Sequence, residues 1–361
     1  MRRLAAAATV VVLLAVPGAA HAEETPHATA SAPARWQPVA AESLSAPLSA
    51  AEMNTRAANI DGLGDLWDVG RTHVLPDGRW LTLTGDATAE DGQEWPVYDN
   101  AAVIWDTTGQ RRVDSPHPGG HFFPRWSDGS EFWPNDFFVV GDRAYVIGHR
   151  VKTYSGFMNW DPLGAYGAVV EVPAGGDPRW LRYFPTPSSL LDDTAVQWSG
   201  AIAYDGTHVY VHGVLDVPEA FHGRHGGYVA RVPLSRLEVP HRWQFWTGTT
   251  WTGRVDLAVA TIPLGEEYTT GLNGTGSGYT LHRRPDGQWQ VTAKRGGDMG
   301  GWLGRYTAPT PHGPWTWQPL LQAGGDNYLA GAMPDLPLAS GNLLVQWSRH
   351  NTLPVWAEVP Q

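Results

Sequence analysis

The stretch His73-Val74-Leu75-Pro76-Asp77-Gly78-Arg79-Trp80-Leu81-Thr82-Leu83 has the pattern of a β-hairpin. An aliphatic strand leads into a tight turn that carries glycine, and a second strand follows it. Asp-Gly suits such a turn because the central residues need a positive φ, which glycine adopts at no steric cost. A single hairpin of this kind is compatible with many β folds.

The same pattern recurs along the chain, and its recurrence is more informative than any one copy. The further copies are Phe138–Gly148, Ile202–Gly213, the weaker Tyr279–Val291, and Leu338–Trp347. Their spacing of roughly 55 to 80 residues suits a four-stranded blade with one or two long loops. The sequence therefore predicts an all-β fold, a five-bladed β-propeller. The alternatives are a β-helix, which would show much shorter repeats, and a large β-sandwich, which would not need five matched units.

The N-terminus has the order of a secretory signal peptide. Arg2 and Arg3 precede an apolar run, Leu4–Val16, that is too short to span a bilayer. Ala20-His21-Ala22 then supplies the small-residue pattern of a cleavage site. Residues 1–22 are therefore predicted to be a signal peptide and the protein to be secreted; the alternative is an N-terminal helix that stays on the protein.

Two segments follow the predicted signal peptide. Residues 23–50 are rich in Ala, Pro, Ser and Thr and show no period, which predicts a flexible leader. From residue 51 onward, short runs of β-branched and aromatic residues alternate with Gly and Pro. Residues 51–361 are therefore predicted to form one propeller domain.

Composition restricts the classes of partner. The 361 residues include 19 Trp and no Cys, and the formal net charge is −11. An extracellular chain without Cys is not a small disulfide scaffold. The chain has two lysines, Lys152 and Lys294, and no basic cluster, so neither nucleic acid nor an anionic membrane is an expected partner. Trp supplies a large flat apolar face, which either wedges sheets together or stacks on a sugar ring. We expect a monomer.

Two carboxylates flank the first hairpin at equal distances from its turn. Asp68 and Asp86 are equally far in sequence from Asp77, so both should lie at the same end of the hairpin, with Cβ atoms about 4.5–5.5 Å apart. Two carboxyl groups this close titrate at separated pKa values, which gives the acid and the base that glycoside hydrolysis needs. The alternative is that Asp86 caps the turn while Asp68 pairs with Arg71.

Other polar and aromatic residues should lie near the ends of the innermost strands, where the binding surface of a propeller forms. The predicted substrate-binding residues are Arg71, Asn100, Trp133, Asp136, Trp198 and Asn327. Trp133 and Trp198 are predicted sugar platforms, and packing between blades explains either of them equally well.

No cofactor is predicted. The histidines are scattered, apart from the short cluster that holds His222 and His225, and a transition-metal site is not expected. A structural Ca²⁺ ion is left open, because its oxygen ligands leave no spacing signature here. The signatures of serine hydrolases, P-loop enzymes and dinucleotide-binding enzymes are absent.

Several motifs carry a resemblance to a known family. They are Asp68, Leu75-Pro76-Asp77-Gly78-Arg79, Gly85-Asp86, Asn100-Ala101-Ala102, Trp198-Ser199-Gly200-Ala201, Ala230-Arg231-Val232-Pro233 and Pro309-Thr310-Pro311-His312-Gly313-Pro314-Trp315. Over residues 59–359 the chain resembles secreted bacterial five-bladed propellers formerly of unknown function, which include endo-D-arabinofuranases. The resemblance implies cleavage of α-D-arabinofuranosyl linkages in cell-wall arabinan, with Asp68 and Asp86 as the catalytic pair. The chain departs from the family pattern at Thr84 and Ala87, which flank Gly85-Asp86.

The leading hypothesis is a secreted glycoside hydrolase that acts on a furanose polysaccharide. A second hypothesis is a non-catalytic, lectin-like propeller that binds cell-wall glycan through Trp platforms. A third and weaker one is a propeller that binds other proteins.

Overall fold

The computed structural model describes residues 48–361 apart from 65, 69, 90–97, 108, 156–158, 190–195, 217–224, 264–273, 299, 325–326 and 350–352. The predicted signal peptide, most of the predicted leader and His222 lie outside the described residues. Among the described residues, no helix has the length and apolar character needed to cross a membrane.

The fold is a five-bladed β-propeller built from five antiparallel sheets, as predicted from the hairpin repeats. Blade 1 contains β1 (Arg71–Val74), β2 (Trp80–Thr84), β3 (Ala101–Asp106) and β4 (Gly109–Arg112). Blade 2 contains β5 (Glu131–Val140), β6 (Arg143–Thr153), β7 (Trp160–Glu171) and β8 (Arg179–Pro185). Blade 3 contains β9 (Gln197–Tyr204), β10 (His208–Asp216), β11 (His225–Pro233), β12 (Gln244–Trp246) and β13 (Trp251–Thr252).

Blades 4 and 5 complete the ring. Blade 4 contains β14 (Thr280–Arg283), β15 (Trp289–Arg295), β16 (Trp302–Ala308) and β17 (Thr316–Gln322). Blade 5 contains β18 (Asn327–Met333), β19 (Leu343–Arg349) and β20 (Val355–Val359). Among the described residues, the α-helix α1 (Ala50–Ala57) precedes the blades, and short 3-10 turns lie at Pro118–Gly120, Leu234–Arg236, Pro240–Arg242 and Val255–Leu257. Within each blade, strands adjacent in sequence are adjacent in the sheet.

The predicted hairpins form the two innermost strands of four blades. They pair β1 with β2, β5 with β6, β9 with β10 and β14 with β15. The turn glycines have the expected backbone, with φ of 85° at Gly78 and 94° at Gly206. Local turn chemistry therefore accounts for these pairings.

The fifth hairpin differs from the prediction. The strand expected at Leu338 is the earlier segment Asn327–Met333, and Leu338 lies in the connection to β19, where it forms an isolated bridge with Leu48. Pro334 and Pro337 explain the difference, because proline lacks the N–H that a ladder needs. An apolar pair after the prolines gave the misleading strand signal.

Several large aromatic residues pack between neighbouring blades. Trp67, Trp80, Trp105, Trp198 and Trp243 are among the largest fully buried side chains. The Trp67 ring of blade 1 lies 5.8 Å from that of Trp356 in blade 5. Sheets that splay outward from a common axis need bulky side chains to fill the widening gap between them, and Trp provides the largest one.

The innermost strands β1, β5, β9, β14 and β18 contact one another in a closed ring. We call the end at which these strands begin the upper mouth, marked by Asp68, Glu131 and Tyr328. The lower mouth is the end at which they finish, marked by Val74, Val140 and Met333. Side chains from all five blades can meet at either mouth, although they are far apart in sequence.

Helix α1 covers the outer edge of blade 5. Ser49 caps the helix by accepting a hydrogen bond from the Glu52 backbone N–H at 3.1 Å. The Asn54 side chain accepts from the Trp356 N–H at 3.1 Å and donates to the Trp356 carbonyl at 3.0 Å, as a neighbouring strand would. This amide therefore satisfies polar groups of an edge strand that would otherwise be open to pairing with another chain. Leu48 is buried, so packed contacts extend to residues before the boundary predicted at residue 51.

Replacing Asn54 by alanine removes both hydrogen bonds to the edge strand. We expect the free energy of unfolding to fall by about 1–2 kcal/mol, because two partly buried backbone groups lose their partners. Urea denaturation measures the change. The matched control is Asn59→Ala, since the Asn59 amide bonds only within its own exposed turn. Equal losses in the two variants would contradict the edge-capping role.

Candidate active site

Asp68 and Asp86 lie opposite each other at the upper mouth. The register that pairs Arg71 with Leu83 continues past the strand ends to an isolated bridge between Trp67 and Ala87. Asp68 and Asp86 fall between these pairs, and the Asp68 N–H donates to the Asp86 carbonyl at 2.8 Å. The first hairpin thus brings the two carboxylates to facing positions on adjacent strands.

The Asp86 carboxyl lies in a poorly solvated, acidic environment. Its Oδ1 is fully buried and has no hydrogen-bond partner. Burial, then the charges of Asp68, Glu131 and Asp99, raise the pKa of Asp86 well above its ordinary value. Trp133 lies near Asp86 and offsets part of the rise in its pKa, although the Trp133 indole N–H forms no hydrogen bond. The environment therefore favours the protonated acid at Asp86.

The Asp68 carboxyl has a different environment. Its Oδ1 accepts a hydrogen bond from the Tyr328 hydroxyl of blade 5. Burial and the Asp68 charge raise the pKa of the Tyr328 phenol, so the phenol keeps its proton and remains a donor. The Thr84 hydroxyl donates to the Asp68 backbone carbonyl and fixes the chain at this point. A donor on the carboxylate stabilises its ionised form.

A second layer of charged residues surrounds the pair. Arg125 binds Asp99 through two hydrogen bonds of 2.5 and 2.6 Å, and its guanidinium lies 3.8 Å from Glu131. Glu131 accepts a hydrogen bond from Thr153, and burial raises the pKa of Glu131. The carboxyl groups of Asp86, Asp99 and Glu131 thus lie around the Arg125 guanidinium.

Three of the predicted substrate-binding residues are buried in contacts between blades. Arg71 donates to the carbonyls of Leu329 and Ala330 at 3.2 and 3.4 Å, an arrangement that differs from the alternative pairing with Asp68. The Asn100 amide donates to the Phe132 carbonyl of blade 2 at 3.0 Å. The Asp136 carboxylate accepts from the Ile202 N–H of blade 3 at 3.0 Å. These side chains join neighbouring blades, and we do not include them in the proposed substrate site.

The two predicted Trp platforms have different surroundings. Trp198 is fully buried and packs against Phe245 with ring centroids 5.0 Å apart, so it presents no face to a ligand. Trp133 is half-buried and lies edge-on to Trp160, whose side chain is 38% exposed, at 5.3 Å. The side chain of Asn327 lies outside the described residues.

Sequence reasoning did not select Glu131, Arg125 or Trp160, whereas Tyr328 is named with Asn327 as a candidate at the mouth. Glu131 and Tyr328 each lie at the start of an innermost strand, as Asp68 lies just ahead of β1. That shared position was the available signal, but their convergence depends on ring closure, which no local pattern reports.

A separate charged cluster lies toward the lower mouth. His73 Nδ1 is 2.8 Å from Asp335 Oδ2, and its Nε2 is 3.7 Å from Asp136 Oδ1, too long for a direct hydrogen bond. Burial alone would lower the pKa of His73, but the two carboxylates outweigh it and raise the pKa to about 9. His282 nearby has no carboxylate bonded to it, and burial lowers its pKa to about 4. His73 is therefore a partly buried cation that lies between carboxylates of blades 2 and 5.

The stability of the protein should fall at high pH because of His73. Its pKa of about 9 in the folded chain exceeds the ordinary value of 6.5, so its contribution is complete below pH 6.5 and is lost as pH rises through about 9. The full contribution is up to about 3 kcal/mol. Urea denaturation at pH 7 and pH 10 measures it, and subtracting the loss seen in His73→Gln removes the effect of other titrating groups. An identical pH dependence in the variant would contradict the role of His73.

In the part of the chain that the structure describes, no group of three or more His, Asp or Glu side chains is arranged to hold a metal ion.

Solved structures of other proteins share this fold, although their sequence identity to this chain is low. No family model matches the chain, and no curated protein matches it in sequence. A candidate hydrolase from Bacteroides ovatus ATCC 8483 is 12% identical, with 85% of this chain and 88% of that chain covered and a TM-score of 0.62. A GH43_1 enzyme from Xanthomonas citri is 11% identical, with 84% and 92% covered and a TM-score of 0.50. The fold and the site together define a five-bladed propeller with an acidic pair at its upper mouth.

Proposed function

We propose that this protein is a secreted glycoside hydrolase in which Asp86 is the general acid and Asp68 the general base or nucleophile. The observation that carries the proposal is that two facing carboxyl groups have opposite environments. Asp86 has a buried oxygen without a donor, whereas Asp68 accepts a hydrogen bond from Tyr328. Glycoside hydrolysis requires that one of two neighbouring carboxyl groups is protonated while the other is ionised.

The chemistry follows from these two states. Asp86 gives its proton to the glycosidic oxygen as the bond from that oxygen to the anomeric carbon breaks. Asp68 either takes a proton from the water that attacks the anomeric carbon or attacks that carbon itself, and in the second case water then releases the sugar. In both cases Asp86 regains a proton before the next turnover, so the carboxyl pair ends as it began.

The upper mouth has features suited to a neutral glycan. Three aromatic side chains there are exposed, Tyr154 by 49%, Trp160 by 38% and Trp302 by 43%. Flat aromatic faces bind the apolar face of a sugar ring. Beside the carboxyl pair, the carboxyl groups of Asp99 and Glu131 outnumber the Arg125 guanidinium between them, which disfavours an anionic polysaccharide there.

The resemblance given above narrows the substrate to α-D-arabinofuranosyl linkages of cell-wall arabinan. The matching residues include Asp68 and Asp86, which lie opposite each other beside the first hairpin. The fold shared with the GH43_1 enzyme is compatible with this class. The predicted signal peptide supports an extracellular location, where such polymers occur.

The test is product release by the purified mature chain. Incubation with D-arabinan, L-arabinan and xylan, followed by chromatography of soluble sugars, should give oligosaccharides from D-arabinan. The double variant Asp68→Asn, Asp86→Asn should give none and should still bind the polymer. Binding without products in the wild-type chain would overturn hydrolysis and favour the lectin-like alternative.

A further inference from the structure

Strand β18 contains a strained bulge immediately after Tyr328. Leu329 has a φ of 48°, and among the described residues it is the single non-glycine with a positive φ. The register to β19 shifts between Tyr328, which pairs with Ser348, and Gly331, which pairs with Gln346. A leucine in the left-handed region is unfavourable, so its surroundings must enforce it. Bulges re-aim side chains at functional sites.

Arg71 of blade 1 supplies that enforcement. Its guanidinium donates through Nη1 to the Leu329 carbonyl at 3.2 Å and through Nη2 to the Ala330 carbonyl at 3.4 Å. Burial lowers the pKa of Arg71 to about 10, so the group still carries its charge at neutral pH. One buried cation thus holds two consecutive carbonyls of the bulge.

Gly331 makes room for this clamp. A Cβ at this position would lie 2.9 Å from the Cζ and Nε atoms of Arg71 and 2.7 Å from the Cγ2 atom of Thr280. Contacts this short are not tolerated, so any larger residue would displace the guanidinium or the strand. The absence of a side chain at Gly331 therefore leaves the space in blade 5 that the Arg71 guanidinium occupies beside the bulge.

We propose that the bulge clamped by Arg71 is a positioning device that holds the Tyr328 hydroxyl against the Asp68 carboxylate. Arg71 and Tyr328 act through Asp68, which is the group that would meet the sugar. This inference rests on the proposed function, since it explains how the base or nucleophile is oriented and kept ionised. It also gives Arg71 a role in the reaction without contact to substrate.

The first variant is Tyr328→Phe, which removes the hydroxyl and keeps the ring. We expect kcat to fall about tenfold to hundredfold and the acidic limb of kcat/KM to move to higher pH, because the Asp68 carboxylate loses a hydrogen bond. Among the described residues, Asp86 faces Asp68, and Glu131 and Asp99 act on Asp86; the variant leaves all three unchanged. The matched control is Tyr306→Phe in blade 4, whose hydroxyl donates to the Gly274 carbonyl at 2.7 Å. An unmoved acidic limb in Tyr328→Phe would overturn the proposal.

The second variant is Leu329→Gly. Glycine adopts the positive φ without strain, and the more flexible backbone holds the Tyr328 side chain in a less fixed orientation. We expect an unchanged or higher Tm together with a several-fold lower kcat and an unchanged KM. A bulge that is merely structural would change Tm and leave kcat unaffected. Full kcat in this variant would therefore also overturn the proposal.

One readout does not depend on activity. In protein labelled with ¹³C at the aspartate carboxyl carbons, the Asp68 signal is assigned by its loss in Asp68→Asn and titrated with pH. Tyr328→Phe should move its midpoint to higher pH, because the carboxylate loses the hydroxyl that donates to it. If no polysaccharide is cleaved, the proposed function fails, but this shift still supports the positioning of the Tyr328 hydroxyl against Asp68. If the wild-type chain cleaves arabinan and the midpoint does not move, the device fails alone.

Discussion

Asp86→Asn should lower kcat on arabinan by about 10³- to 10⁴-fold, the upper range for loss of a general acid. Asparagine has nearly the shape of aspartate and can replace it beside Asp68, but it has no proton to give to the leaving oxygen. The fold should persist, because Oδ1 of Asp86 makes no hydrogen bond whose loss would cost stability. Steady-state rates of oligosaccharide release measure the effect.

The leaving group separates an acid from a base. A dinitrophenyl arabinofuranoside needs little protonation when it departs, so Asp86→Asn should retain much more activity on it than on arabinan. Asp68→Asn should lose activity on both substrates, because the anomeric carbon is then attacked without help. The matched control is Asp256→Asn, an exposed carboxylate paired with Arg254 outside the site. Equal losses of Asp86→Asn on the two substrates would contradict the assignment of Asp86 as the acid.

The pH dependence of activity also reports the protonation of Asp86. Burial and neighbouring carboxylates raise the pKa of Asp86, so the acid remains protonated to a higher pH than an ordinary aspartate. Activity should therefore fall on the alkaline side as Asp86 loses its proton, while the acidic side reports the base.

The sequence predicted those parts of the structure that depend on local signals. Asp-Gly turns set the register of the first hairpin, and that register alone placed Asp68 opposite Asp86. The fold class followed because the same hairpin recurs. The fifth hairpin was misplaced at Leu338 because apolar character and a turn signal do not reveal whether a segment pairs or only connects.

Two physical reasons limited the prediction of the other site residues. Glu131 and Tyr328 reach Asp86 and Asp68 from other blades, and only closure of the ring brings them together. Trp198 was predicted as a sugar platform, yet it fills the gap between strands beside Phe245. Residue type cannot distinguish these roles, because a large flat ring serves packing and stacking equally well.

Asp136→Ala should destabilise the protein by about 3–5 kcal/mol, the range for removing one partner of a buried charge pair. The side chain is 2% exposed, and it accepts hydrogen bonds from the N–H groups of Phe137 and Ile202, both at 3.0 Å. Its removal leaves the His73 and Arg71 cations without this counter-charge, and the Ile202 N–H without its acceptor.

Urea denaturation at pH 7 measures the loss, and the matched control is Asp142→Ala in the exposed turn between β5 and β6, expected to stay within about 0.5 kcal/mol. The prediction from sequence alone, that Asp136 binds substrate, has a different signature. In that case alanine would raise KM and leave the free energy of unfolding near the wild-type value. A large loss of stability would instead assign Asp136 to the joint between blades 2 and 3, because the carboxylate that bonds to Ile202 there also neutralises the buried cations of blade 1.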